Sequence, residues 1–284
     1  MAQAGEIHPL IDEGIDRKAL NTLRKRFMAL NQTRLRRVLQ ALPTRQYNVL
    51  QLIPLLFDVN YHLLPGFVSR ETPHGLAGYE AETAALQSAQ ALTRSYHYRR
   101  HPAGFVPQIL GLYLMGSGGT IAQSEQSDLD IWVCHEPELP AQALAELASK
   151  CQLITDWAAT QGCEAHFHLV NPAQFSRGDR ENELSIEDCG STQHYLLLDE
   201  FYRTAILLGG RFPLWWLVPS YEEQHYASYT ERLLSKRFIR EKDSLDLGHV
   251  AGIPAGEFVG AGLWQLYKGI DSPYKSVLKL LLTE

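Results

Sequence analysis

The sequence contains no run of about eighteen apolar residues, the length that a membrane-spanning helix needs. Its densest apolar stretch, residues 196–219, is interrupted by Asp199, Glu200, Arg203 and Arg211, so no membrane span is expected. Residues 1–6 offer neither a basic n-region nor an apolar h-region, and no secretion signal is read there. Cysteine is scarce: Cys134, Cys151, Cys163 and Cys189 form no CxxC pair and no zinc-like spacing. They are expected to be reduced, mostly buried thiols of a cytoplasmic chain. GxSxG, HExxH, the Walker lysine motif and GxGxxG are all absent, which removes the hydrolase, metalloprotease, P-loop and dinucleotide-binding readings that rest on them. There is no internal repeat and no low-complexity tract.

What is present is ordinary globular material, 45% hydrophobic and 20% charged over 284 residues, enough for one large domain or two small ones. The net charge of −6 is unevenly spread. Residues 1–45 carry nine basic groups against four acidic ones, and the rest carries seventeen against twenty-eight. Arg24-Lys25-Arg26 and Arg34, Arg36 and Arg37 are expected on the solvated face of a helix, because Leu20, Leu23, Phe27, Leu30, Leu35, Val38 and Leu42 recur at helical spacings between them. The acidic remainder argues against a nucleic-acid partner.

Helical patterns run over residues 16–42, 45–57 (despite Pro54) and 79–97, with a Pro- and Gly-bearing loop at 58–78. Beyond Pro107 the pattern changes. Residues 109–115 and 128–134 predict strands, 139–161 a helix, and 163–170 a third strand, so a small α/β core forms here. From about residue 193 the chain is expected to be mainly helical.

The residues with most chemical content lie in that core: Met115-Gly116-Ser117, ten residues, then Asp128-Leu129-Asp130-Ile131. Strand alternation puts Asp128 and Asp130 on one face. Two such carboxylates repel each other and make poor structural neighbours, but they hold divalent metal well. A glycine-rich turn, Gly116 to Thr120, offers backbone N–H groups and a hydroxyl to phosphate. Together these are the parts of a metal-dependent phosphoryl-transfer site. The ordered combination resembles the signature of the DNA polymerase β-like nucleotidyltransferase superfamily.

Longer blocks resemble the bacterial class I adenylate cyclases: residues 127–135 (SDLDIWVCH), 187–194 (EDCGSTQH), 196–205 (LLLDEFYRTA), 263–268 (LWQLYK) and 270–275 (IDSPYK). The similarity runs over nearly the whole chain, which looks like the amino-terminal catalytic portion of longer proteins that carry a carboxy-terminal regulatory region. The resemblance implies an α+β fold: a helical region at 1–102, a nucleotidyltransferase-like core with a small mixed sheet at 103–192, and a helical lobe at 193–284 that completes the nucleotide site. It also implies conversion of ATP to 3′,5′-cyclic AMP and pyrophosphate with two Mg²⁺ ions, for which Mn²⁺ can substitute. Asp128 and Asp130 match the first two metal-binding carboxylates. Glu164 is the expected third, sharing a strand face with His166 and His168, and Asp188 is its rival. Ser117, with Gly116, Gly118 and Gly119, is expected to take the β- and γ-phosphates. Trp132 is a candidate to support adenine or ribose, or else core packing, and Arg203, Lys268 and Lys275 are candidates to neutralise the triphosphate. Intermolecular nucleotidyl transfer, or nucleotide binding without turnover, are the alternatives.

Overall fold

The computed structural model describes residues 17–116, 118–120, 123, 127–177, 194–250, 252–270 and 272–283. Four strands form its central mixed sheet: β1 (Ile109–Met115), β2 (Leu129–His135), β3 (Ala165–Val170) and β4 (Ile206–Gly210), in the order β3-β2-β1-β4. β1 is antiparallel to both β2 and β4, whereas β2 and β3 are parallel. The parallel pair needs a crossover, supplied by α4 (Ala141–Thr160). The fold is thus the expected α+β type, with one more core strand than the three expected. β4 falls in the section read as helical. Ile206-Leu207-Leu208-Gly209-Gly210 is a short apolar run directly behind a helix, and periodicity alone does not separate such a run from a helix end. The pairing with β1 is a long-range contact that decides it.

The two faces of the sheet differ in what covers them. Leu129, Ile131 and Val133 point into an aliphatic cluster with α2 (Thr44–Asp58), α3 (Thr83–Leu92) and α4. α2 is buried almost all round, and Pro54 is accommodated within it. α3 is shorter than the expected 79–97, ending at Thr93 in an extended conformation. Trp132, Cys134, Tyr113 and Met115 point the other way, into a cluster rich in aromatic rings. That cluster is closed by α5 (Pro172–Ser176), α6 (His194–Thr204) and α7 (Tyr226–Ser235), with β5 (Phe212–Pro213) and β6 (Ser244–Leu245) paired in a small sheet. Two further helices, α8 (Ala255–Lys268) and α9 (Pro273–Thr283), complete the chain order. Pro273 opens α9 at a position where a missing N–H costs nothing, so Lys268 and Lys275 sit on different helices.

α1 (Arg17–Ala41) lies along the β4 edge. Its amino-terminal half packs Leu20 and Phe27 on the aromatic cluster, and its carboxy-terminal half packs Leu35 and Val38 on the aliphatic one. The exposed backbone of an edge strand invites unwanted pairing. Here the buried Asn31 side chain satisfies Leu207 in it, donating to the Leu207 carbonyl at 2.9 Å and accepting from the Leu207 amide at 2.8 Å.

The long 59–108 connection is anchored on Asp58, 1% exposed at the end of α2. Its carboxylate accepts from the Leu76 amide (3.1 Å) and the Tyr98 hydroxyl (3.1 Å), and lies 3.1 Å from His101 Nε2. Cys134, Cys151 and Cys163 are buried free thiols; burial raises each well above an ordinary thiol, Cys151 to about 12. Cys189 lies outside the described residues. No helix among the described residues is long and apolar enough to cross a membrane.

Candidate active site

One end of the sheet gathers the acidic residues. β2 begins at Leu129 with the exposed Asp128 just before it, and β3 begins at Ala165 with the exposed Glu164 just before it. The parallel register pairs Leu129 with Ala165 and Asp130 with His166, and the Leu129 amide donates to the Glu164 carbonyl at 2.9 Å. Residues in register on parallel strands share a face, so Asp128, Asp130, Glu164 and His166 line one side of this sheet end. One ligand atom from each of Asp128, Glu164 and His166 lies within 4.8 Å of the others. His166 Nε2 is 3.2 Å from Glu164 Oε1. The His166 imidazole therefore stands inside the acidic group.

β1 delivers the glycine turn to the same end. Met115 is in register with Asp130, and Gly116 comes next at φ +80°, a conformation that side chains rarely adopt. A Cβ on Gly116 would stand 3.5 Å from Asp130 Oδ2, which measures how closely the turn passes the carboxylate. Gly119, at φ +71°, lies against α1, where a Cβ would come within 3.1 Å of the Arg34 carbonyl. Its amide is engaged, donating to Gln123 Oε1 at 2.6 Å. Gly118 packs beside Leu114 and Val38. Ser117, and Asp188 as rival third carboxylate, lie outside the described residues.

The other candidates are occupied elsewhere. Trp132 is 3% exposed and stacks on Phe201 (5.1 Å, 17° between planes) with Phe175 edge-on at 5.3 Å; here it is core packing beneath Asp130, with no open face for a base. Arg203 is held by Asp199 one helical turn away at 2.8 Å, and Lys268 Nζ lies 5.2 Å over the Trp264 ring. The side chain of Lys275, on α9, is outside the described part.

One expectation about the basic helix is overturned. Arg36 and Arg37 are exposed, but Arg34 is half-buried. Its guanidinium donates to the carbonyls of Arg203 (3.4 Å), Thr204 and Ala205 (3.4 Å), the unsatisfied end of α6. Burial, then the nearby Arg37, lowers its pKa. A cation placed on helix-terminal carbonyls meets the negative end of the helix dipole. In sequence nothing distinguishes Arg34 from its exposed neighbours, because its partners are 169–171 residues away.

Comparison with known proteins adds to this geometry. The family described as the adenylate cyclase NT domain matches residues 19–216, and the one described as adenylate cyclase, class-I, second domain, matches residues 253–284. The adenylate cyclase of Escherichia coli (strain K12) is 43% identical over 268 residues, covering 93% of this chain and 31% of that protein. Those of Salmonella typhimurium (43%) and Yersinia pestis (42%) match over the same shares. The chain thus spans 31% of the length of these curated relatives. No solved structure matches it.

Proposed function

The chain belongs to the class I adenylate cyclases, matching their amino-terminal domain, and from that premise we propose that it converts ATP to 3′,5′-cyclic AMP and pyrophosphate at the Asp128–Asp130 end of the sheet. The observation that carries the reading is the convergence of Asp128, Asp130, Glu164 and the Gly116 turn on one side of one sheet end. The ribose 3′-hydroxyl releases its proton to solvent and its oxygen bonds to the α-phosphorus while the bond from that phosphorus to the bridging oxygen breaks, and pyrophosphate departs with those electrons. Whose hydroxyl attacks separates this cyclisation from transfer to another molecule.

The acidic group fits a small, hard divalent cation. Its donors are two exposed carboxylates and a half-buried imidazole, with atoms mutually within 4.8 Å. Carboxylate oxygens suit both Mg²⁺ and Mn²⁺. Asp128, Asp130 and Glu164 would hold two such ions. Bound there, the ions supply charge stabilisation to the attacking and leaving oxygens and lower the pKa of the hydroxyl.

The chain's own residues do the rest. The strand pairing fixes the backbone beside the carboxylates before substrate arrives, which limits how far their charge must rearrange during reaction. Gly116 lets the backbone pass beside Asp130, and Ser117 and the Gly118 amide are assigned to the β- and γ-phosphates. The Gly119 amide joins them only if Gln123 turns aside. Arg203, Lys268 and Lys275 remain candidates to neutralise the triphosphate; Arg203 would have to leave Asp199, and Lys268 the Trp264 ring, to do so. Regulation is assigned to the region that the relatives carry beyond the matched part, and the chain to the cytoplasm.

The test is purified chain with ATP and Mg²⁺ and no acceptor. Cyclic AMP and pyrophosphate are expected in equal amounts. Binding of ATP without turnover rejects the reading, and adenylate transfer only after addition of an RNA or small-molecule acceptor assigns the site to intermolecular transfer.

A further inference from the structure

The α8–α9 pair has two unlike sides. Toward the rest of the chain it is anchored by a few groups: the buried Glu257 carboxylate accepts from the Leu196 amide at 2.9 Å, Lys279 pairs with Glu200 at 3.6 Å, and Ala261 and Ser276 are buried. On the other side Val259, Leu263 and Leu266 succeed one another on α8 at intervals of four and three, each 62–65% exposed, and Ile270, in the turn just beyond the helix, is 78% exposed. Tyr274, Val277 and Leu281 continue the stripe on α9 at intervals of three and four, each 55–65% exposed. Apolar residues at these spacings make one face of a helix, and such a face is normally buried. A contiguous patch of large apolar side chains marks an interaction surface. The exposed face of α1 carries Arg36 and Arg37 instead, as a face meant for water does.

We infer that this stripe is the seat of later helices of the second domain, those that the relatives carry beyond the region matched here. Two observations choose this occupant over a second copy of the chain. The second-domain match falls on residues 253–284, which are these two helices. The matched region fills only 31% of the Escherichia coli protein, so its relatives hold ample chain to cover them. A domain that opens with two helices, one side tied to the catalytic core and the other apolar, is closed by its own later helices, each presenting an apolar stripe of matching spacing. The inference rests on family membership and not on the cyclase chemistry.

The test compares this chain with a chimera extended in frame by the segment of the Escherichia coli protein that lies beyond the matched region, using hydrogen–deuterium exchange without nucleotide. Amides across residues 259–281 are expected to exchange at least tenfold more slowly in the chimera. Leu263→Glu with Leu266→Glu should restore fast exchange there and leave β1 and β2 protected. Equal exchange in both proteins overturns the inference. So does slowing in the chain alone that grows with its concentration, which assigns the stripe to a second copy, or slowing on phosphatidylglycerol vesicles, which assigns it to a lipid surface. Should the chimera fail to protect β1 and β2, the same pair of substitutions at the aligned positions of the full-length Escherichia coli enzyme decides. A lower melting temperature and faster exchange in the helix pair are expected there, and an unchanged melt rejects the docking. Cyclic AMP formation is scored separately, so loss of turnover with protection retained rejects the proposed reaction alone.

Discussion

The two faces of the central sheet are built from different materials. Among the described residues the aliphatic face, under α2, α3 and α4, buries two aromatic rings, Phe57 and Tyr96, whereas the opposite cluster buries nine. Aliphatic side chains interdigitate between regular helices and leave nothing polar to satisfy. Aromatic residues bring hydroxyls, and these are spent on irregular backbone: Tyr113 donates to the Arg211 carbonyl at 2.6 Å, Tyr229 to the Leu217 carbonyl at 3.3 Å, and Tyr202 to the Gly248 carbonyl. The 205–248 segment has short elements and is pinned by rings where helices pin the other face. The acidic residues rise from the rim of this aromatic face. One face is packed between regular helices, and the other holds the acidic edge of the sheet over a segment with short elements.

The largest effect that would sharpen this contrast is catalytic. Asp128→Asn and Asp130→Asn should each lower kcat for cyclic AMP formation by about a thousandfold or more, a loss of roughly 4 kcal/mol of transition-state stabilisation. Near-normal turnover in either would remove the carboxylates from the chemistry. Next come two neighbours on β2 that point to opposite faces. Trp132→Ala should cost about 3–4 kcal/mol in urea unfolding by opening the aromatic stack, and Ile131→Val on the aliphatic face about 1 kcal/mol. A cost under about 1 kcal/mol for Trp132→Ala would show that the stack does not hold the aromatic face.

A smaller effect belongs to the aliphatic side alone. Lys150 is 1% exposed, its ammonium donating to the Val59 carbonyl at 3.1 Å. Burial lowers its pKa to about 8, with Cys151 and Asp58 opposing the shift. The unfolded chain then binds more protons than the folded one between about pH 8 and the ordinary lysine value near 10.4, so stability rises with pH in that window. Measured against Lys150→Met, the unfolding free energy should gain about 1–2 kcal/mol from about pH 7.5 to about pH 9.5. A flat difference would mean that the ammonium stays charged in the fold. The smallest effects separate the arginines of α1. Arg34→Ala should cost about 1 kcal/mol in thermal unfolding by uncovering the end of α6, and Arg36→Ala and Arg37→Ala under about 0.5 kcal/mol each.

Much of this was legible in the sequence where the signal is local. The periodicity of α1 and α4, the alternation in 128–134, the turn at Gly116 and the pairing of Asp128 with Asp130 on one face are all read from neighbours in the chain. Glu164 was legible as well, because a strand–helix–strand crossover returns the chain beside β2. What escaped depends on distant partners. β4 is a strand because β1 is beside it, and Arg34 is a cap because α6 ends there. The Gly119 amide is engaged because Gln123 folds back on it. Trp132 was open to two readings because alternation gives its face but not the Phe201 ring lying on it.

The most direct test of the account is whether the carboxylates serve metal or fold. Mn²⁺ titrated into the chain and monitored by electron paramagnetic resonance of the free ion reads binding without turnover. Saturable binding is expected, weakened at least tenfold by Asp128→Asn or Asp130→Asn, while melting in EDTA stays the same or rises because a repulsion has been relieved. Unaltered Mn²⁺ binding in both variants, or a collapsed melt in EDTA, would contradict it and make the pair part of the framework.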